Sequence, residues 1–213
     1  MKFKNKPLRI AMDGESGSGK SLASKLIARK YRLFCLNSGL IYRYASFLII
    51  KHKPKKIISF LRKKFKNLNY KKISKLNLHT QKISTHVAML AKKKKVRKIA
   101  RMVQLKIIKK YPRIVVEGRD IQTSILARNP RYTVAFYFVC SLSVASYRRW
   151  HDLKKKIPLK EVKKSLRSRT LADKQRRFNA LKKAPDALII RTHLLSKKQM
   201  LVKMVREIEK KLC

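Results

Sequence analysis

The chain has 213 residues, enough for one ordinary domain with a sizeable core, and 45% of them are hydrophobic, which excludes a disordered polymer. Its 58 Lys and Arg stand against 10 Asp and Glu, a formal net charge of +48, so anionic partners such as nucleotides are favoured and incidental nucleic-acid binding is expected. The three cysteines, Cys35, Cys140 and Cys213, are odd in number and have no metal-like spacing, which excludes a disulfide framework. The longest apolar runs, FLII at 47–50 and TVAFYFVC at 133–140, are too short to span a bilayer. MKFKNKPLRIAMDG at the start contains no signal-peptide apolar region, so the expectation is a cytoplasmic protein with no membrane partner.

In chain order, LRIAM (8–12) reads as a strand and is followed by a helical pattern over 19–30. LFCL (33–36) is a second strand, leading into a helix over 39–50. Residues 51–112 show no strand pattern and are too long for one crossover helix, so a helical insertion is expected, with helix somewhere within 55–110. Strands at 113–116, 133–139 and 187–190 alternate with helical patterns at 143–153, 159–177 and 197–212. Strand–helix alternation predicts an α/β fold with a parallel sheet. Lysine runs such as KKKK at 92–95 read as solvated helix surface, and the lysines are spread through every segment.

Only five glycines occur, Gly14, Gly17, Gly19, Gly39 and Gly118, and they fall into three short clusters. The first, GESGSGKS, lies between a strand and a helix and matches G-x-x-x-x-G-K-S. Its residues Gly14, Glu15, Ser16, Gly17, Ser18, Gly19, Lys20 and Ser21 would cradle the phosphates of a nucleoside triphosphate. Backbone N–H groups turn inward, Lys20 reaches the β- and γ-phosphates, and the Ser21 hydroxyl sits on Mg²⁺. The second cluster, LNSGLIYR, opens a helix with Ser38 and Gly39, and Arg43 projects toward the same anion-friendly end. In the third, VVEGRD, Glu117 stands at the carboxyl end of a strand, where open α/β sheets bind ligands, and Arg119 and Asp120 follow. Asp173 is the only acid between Glu161 and Asp186; on a continuous helix it would share a face with Arg169 and Arg176.

Taken together in this order, IAMDGESGSGKS, LNSGLIYR, VVEGRDIQT and RTLADKQRR…APDALII resemble bacterial cytidylate kinase, from about Arg9 to Lys210. The resemblance implies a P-loop NTPase three-layer fold: a five-stranded parallel sheet flanked by helices, with a lid and a helical acceptor-binding insertion. On that reading there is a single kinase domain. Its core is about 7–50 and 95–213, its insertion about 51–94 and its lid about 150–168. The implied reaction moves the γ-phosphate of ATP to CMP or dCMP with Mg²⁺, in a monomer. Ser38 would contact the acceptor nucleotide; Arg43, Arg119 and Arg176 would hold its phosphate, with Asp120 beside them. Arg97 would reach the base, with Gln104 near it. Asp173 would accept from the ribose hydroxyls, and Arg169 would bridge the region. Arg148, beside Arg149, would belong to the arm that closes over the phosphates. The catalytic cations are then Lys20, Arg119, Arg148 and Arg176. The chain departs from the family pattern at Asn37 (usually Asp), Ala88 (usually a cytosine-reading Ser) and Gln122 (usually Gly), and its insertion is shorter and lacks strands. Two other readings fit the residues: a P-loop kinase for a different nucleoside monophosphate, and a nucleic-acid-binding protein on a kinase-like scaffold.

Overall fold

A computed structural model describes residues 6–212. Cys213 and the first five residues of the N-terminal stretch lie outside it. Among the described residues, Cys35 and Cys140 are free thiols. No helix there is long and apolar enough to cross a membrane.

The chain divides into two compact units. One comprises residues up to Leu36 and from Pro112 onward; the other is 37–111. The first unit is organised by strands β1 (Leu8–Gly14), β2 (Phe34–Asn37), β3 (Arg113–Glu117), β4 (Val134–Val139) and β5 (Leu188–Arg191), in the sheet order β2-β3-β1-β4-β5. β1 pairs in parallel with both β3 and β4, and β4 pairs in parallel with β5. These strands are short apolar runs because both faces of a central parallel sheet are covered. Alternate residues Leu8, Ile10 and Met12 of β1 and Val134, Phe136 and Phe138 of β4 share one core. Helix α1 (Lys20–Tyr31) adds Ala23, Ile27 and Tyr31 to it, at four-residue spacing. The last helix, α9 (Lys197–Leu212), adds Met200, Met204 and Ile208 in the same way. Each such side chain contributes about 1.5–3 kcal/mol by leaving water.

The register sets the position of the chemistry. Met12 lies opposite Glu117, and Gly14 opposite Phe138, so the glycine loop and the VVEGRD turn leave the sheet side by side at its carboxyl end.

The second unit is helical throughout, as expected: α2 (Ser38–His52), α3 (Ile57–Lys66), α4 (Tyr70–Ser74), α5 (Gln81–Leu90) and α6 (Lys94–Lys110). Its limits, Asn37 and Tyr111, take in α2 and α6, which are wider bounds than 51–94. Asn37 caps α2: its side-chain oxygen accepts from the Leu40 N–H at 3.2 Å. An aspartate at this position could fill the same capping role.

Helices α7 (Leu142–Asp152) and α8 (Leu159–Lys174) complete the first unit. They pack on each other through a small cluster of their own, Cys140, Ala145, Val162 and Leu166, flanked by Trp150, Leu153 and Ile157. α8 stops at Lys174, three residues short of the 159–177 pattern. Arg176 is therefore not on the helix face shared by Arg169 and Asp173; it follows the helix and turns back to Asp173 from the loop.

Candidate active site

The loop after β1 is shaped by two glycines. A Cβ on Gly14 would come within 2.1 Å of the Phe138 carbonyl oxygen, so only glycine lets β1 turn away this close to β4. Gly17 has φ +76°, and a Cβ there would meet Ala145 at 3.1 Å and Leu166 at 3.3 Å. The loop ends at Gly19, and α1 begins at Lys20, which brings a helix N-terminus to the loop. The Lys20 ammonium donates to Gly14 O at 2.9 Å, Glu15 O at 2.7 Å and Ser18 Oγ at 3.2 Å. Its pKa is held below the usual lysine value by burial first, then by the nearby Arg119 guanidinium.

Ser21 Oγ donates to Glu117 Oε2 at 2.9 Å. Burial raises the Glu117 pKa, against the Ser21 hydrogen bond and the charge of Lys20. A hydroxyl and a carboxylate in contact, at the start of a helix, are hard oxygen donors. Mg²⁺ commonly takes one or two such protein ligands and completes its shell with phosphate and water oxygens. The donor set thus fits the ion expected at Ser21, and Glu117 joins it.

Asp173 answers for its isolation among cations. Its Oδ2 accepts from Arg119 Nε at 2.9 Å, and its Oδ1 from Arg176 Nη1 at 3.3 Å. Arg119 also donates through Nη2 to Ser16 Oγ at 3.3 Å, so one guanidinium joins the phosphate loop to the end of α8. Two further bonds make the same connection: Ser16 N–H donates to Thr170 Oγ1 at 3.3 Å, and Lys174 Nζ donates to Glu15 Oε1 at 2.7 Å. Asp120 points elsewhere and accepts from the Asn179 amide at 3.2 Å; that amide also donates to Ser124 Oγ at 2.8 Å. Arg176 Nη2 donates to the Asn179 carbonyl. Arg148 donates to Thr192 O at 3.0 Å, and the Thr192 hydroxyl donates to Ser18 O at 3.1 Å, so this arginine reaches the phosphate loop through one intermediary.

The first unit therefore gathers the loop residues, Glu117, Arg119, Asp120, Arg148, Asp173 and Arg176, and it carries Arg169 half-buried on α8. Ser38, Arg43 and Arg97 belong to the second unit. There Ser38 is buried at the first turn of α2, and Arg43 donates to Leu78 O at 2.9 Å and Ser84 Oγ at 3.0 Å. Arg97 is buried, lies over the Tyr42 ring and donates to Ala91 O at 3.3 Å. Gln104 is buried on the same helix, α6, and Ala88 is exposed on α5.

Two buried polar residues brace the turn after Asp120 and the strands around it. Asp13 is fully buried at the end of β1; its carboxylate accepts from the backbone N–H groups of Ile121 at 3.0 Å and Gln122 at 2.8 Å. It thereby pins the π-helical turn Ile121–Ile125 that follows Asp120. Burial pushes its pKa up to about 7, against those two bonds. Gln122 donates to Phe136 O at 2.8 Å and accepts from Ala184 N at 3.1 Å, tying β4 to the segment before β5. The only sequence signal for Asp13 is an acid on an otherwise apolar strand.

The raised Asp13 pKa has a signed consequence. Between the unfolded value of 3.8 and about 7, the folded chain keeps a proton that the unfolded chain has released. The group's contribution to stability therefore falls as pH rises through that window and is level above it. Asp13→Asn removes this titration but sets an amide N–H₂ against a backbone N–H. The variant is expected to be less stable, with a shallower fall in Tm between about pH 4.5 and 7.5. Thermal melts of both proteins across that range check it; parallel slopes would show that Asp13 stays ionised.

The carboxyl-end loop and its buried lysine place the chain, with its parallel sheet, among the P-loop kinases by architecture. Solved structures agree at the level of fold. An uncharacterized protein from Eubacterium ventriosum superposes with TM-score 0.57 at 13% identity, covering 96% of this chain and 99% of that one. A shikimate kinase from Acinetobacter baumannii gives TM-score 0.50 at 13% identity, covering 98% and 96%.

The cytidylate kinase family model matches residues 10–210, and the chain belongs to that family. Among its relatives is a cytidylate kinase of Thermosipho melanesiensis, 32% identical over 96% of this chain and 98% of that protein. A cytidylate kinase of Clostridium botulinum is 29% identical over 95% and 98%. A bifunctional pantoate ligase/cytidylate kinase of Prochlorococcus marinus is 33% identical over 88% of this chain and 40% of its own length.

Proposed function

We propose that the protein transfers the γ-phosphoryl group of ATP to CMP or dCMP, giving ADP and CDP or dCDP. The observation that carries this reading is Asp173 gripped by Arg119 and Arg176 beside the phosphate loop. A carboxylate flanked by two guanidinium groups presents acceptors for sugar hydroxyls next to donors for a phosphate. Family membership supplies the acceptor class.

Phosphoryl transfer needs positioning and neutralisation more than covalent chemistry. Lys20 neutralises the transferring group from the loop side, and Arg119 and Arg176 do so from the acceptor side. Their planar forks bind phosphate at two points and remain charged. Arg148, braced on Thr192, completes the cationic surround from α7. The family resemblance assigns Ser38 and Arg43 to the acceptor nucleotide and Arg97 to its base. Ser21, with Glu117 beside it, would hold Mg²⁺, which would supply charge neutralisation to the phosphates. The attacking phosphate oxygen is already anionic, so no side chain is needed as a base. Residues 150–168, spanning the end of α7, the turn and the start of α8, act as the lid that excludes water.

Asp173→Ala is expected to raise the KM for the monophosphate about tenfold or more, the cost of a lost charged hydrogen bond, with little change in the KM for ATP. Equal effects on both would sink the ribose assignment. The reaction itself is tested by ADP release with CMP, dCMP, UMP, AMP and dTMP as acceptors. Turnover should be highest with CMP or dCMP; no turnover with any of them overturns the reading.

A further inference from the structure

From Ser16 to Val116 the chain contains no Asp or Glu at all. The second unit, 37–111, holds 23 Lys and Arg and no carboxylate side chain, and 21 of those cations are exposed. From this we infer that the unit carries a docking ridge for the phosphodiester backbone of nucleic acid, formed by the outer faces of α6 and α3. The inference is independent of the kinase reading.

The ridge follows from helix geometry. α6 buries Val96, Ile99, Ala100, Val103 and Ile108 along one side. The opposite side therefore presents Lys95, Lys98, Arg101, Lys106 and Lys109 to solvent, roughly one cation per turn along about 25 Å of helix. α3 buries Leu61 and Phe65 and exposes Arg62, Lys63 and Lys66. The two helices adjoin: Lys106 Nζ donates to the Lys66 carbonyl at 3.4 Å. Like charges at successive turns oppose the helix that carries them, and the unit has no carboxylate side chain to offset them. A partner bearing one negative charge per repeat offsets them and releases its counterions in doing so.

Partner class follows from what else the ridge displays. Membrane-surface helices bury an exposed apolar face in lipid. Here the apolar faces of α3 and α6 are already inside the unit, and Met102 is the only exposed large apolar residue on either helix. A continuous cationic row with almost no apolar contact surface is built for a phosphate backbone rather than for a folded protein's mixed interface.

The test uses the full chain and a labelled oligouridine RNA of about 20 nucleotides, with binding followed by fluorescence anisotropy over a series of KCl concentrations. Binding should weaken with salt by a slope of about 0.7 per phosphate contacted. The triple variant Lys95→Gln, Lys98→Gln and Lys109→Gln should lose about tenfold or more in affinity and flatten that slope by about two. A control triple elsewhere, Lys30→Gln, Lys203→Gln and Lys210→Gln, makes the same change in net charge and should stay within about twofold of the parent. Converting the ridge lysines to Arg should preserve binding. Phosphoryl transfer should be unchanged in all three variants, which also reports on folding. Equal losses in the two glutamine triples would overturn the ridge, as would no binding at about 0.15 M KCl. Polyglutamate competing as well as RNA, charge for charge, would overturn the nucleic-acid assignment.

Discussion

Lys20→Ala is expected to lower kcat by about a thousandfold, with the fold retained by circular dichroism. In the structure the ammonium is buried and spans the loop, with three oxygens as acceptors. On the proposed reading, triphosphate oxygens would replace those acceptors, so the cation that holds the loop's shape would meet the charge of the transferring group. Alanine would then leave the loop's N–H groups to bind phosphate but remove the loop-side cation for the γ-phosphoryl group. The loss should therefore fall on turnover more than on the KM for ATP. A variant turning over at near the parent rate would show that this loop does not bind the reacting phosphates.

Arg119→Ala is expected to lower kcat about a hundredfold and to raise the KM for the acceptor. Its guanidinium touches Ser16 on the loop and Asp173 on α8, so it lies where the two substrates would meet. Removing it would take away the proposed transition-state cation and also leave Asp173 paired with Arg176 alone. Arg119→Lys should restore little, because a single ammonium cannot reach Ser16 and Asp173 together. Steady-state kinetics on both variants with ATP and CMP check this. A silent alanine variant would reduce the VVEGRD segment to a structural turn.

How much of this could be read beforehand depended on the range of the interaction. Strands such as TVAFYFV and the GESGSGKS loop are declared by neighbours in sequence, and the structure places them within a residue or two of expectation. The end of α8 was harder. LADKQRR continues a helical pattern, but the chain leaves the helix after Lys174 and Arg176 turns back to Asp173. Asp13 shows in sequence only as an acid on an apolar strand: its partners are N–H groups 108 and 109 residues away, and the π-helical turn it pins has no local signature. The Glu15–Lys174 pair, 159 residues apart, is hidden for the same reason. Gln122 was legible as a departure, but its two buried bonds, one to β4 and one to Ala184, were not.

The α7–α8 hairpin keeps its own small apolar cluster, apart from the core shared by β1, β4, α1 and α9. Separate cores open separately. Exposing four buried side chains costs a fraction of global unfolding, so amide hydrogens in this hairpin should exchange through local opening well before those of β1. The Ala145 and Leu166 side chains of that cluster are also the ones a Cβ at Gly17 would meet first. The loop thus lies against the hairpin's own small cluster at Gly17. An opening of the hairpin would therefore take away the side chains that stand against the loop at Gly17.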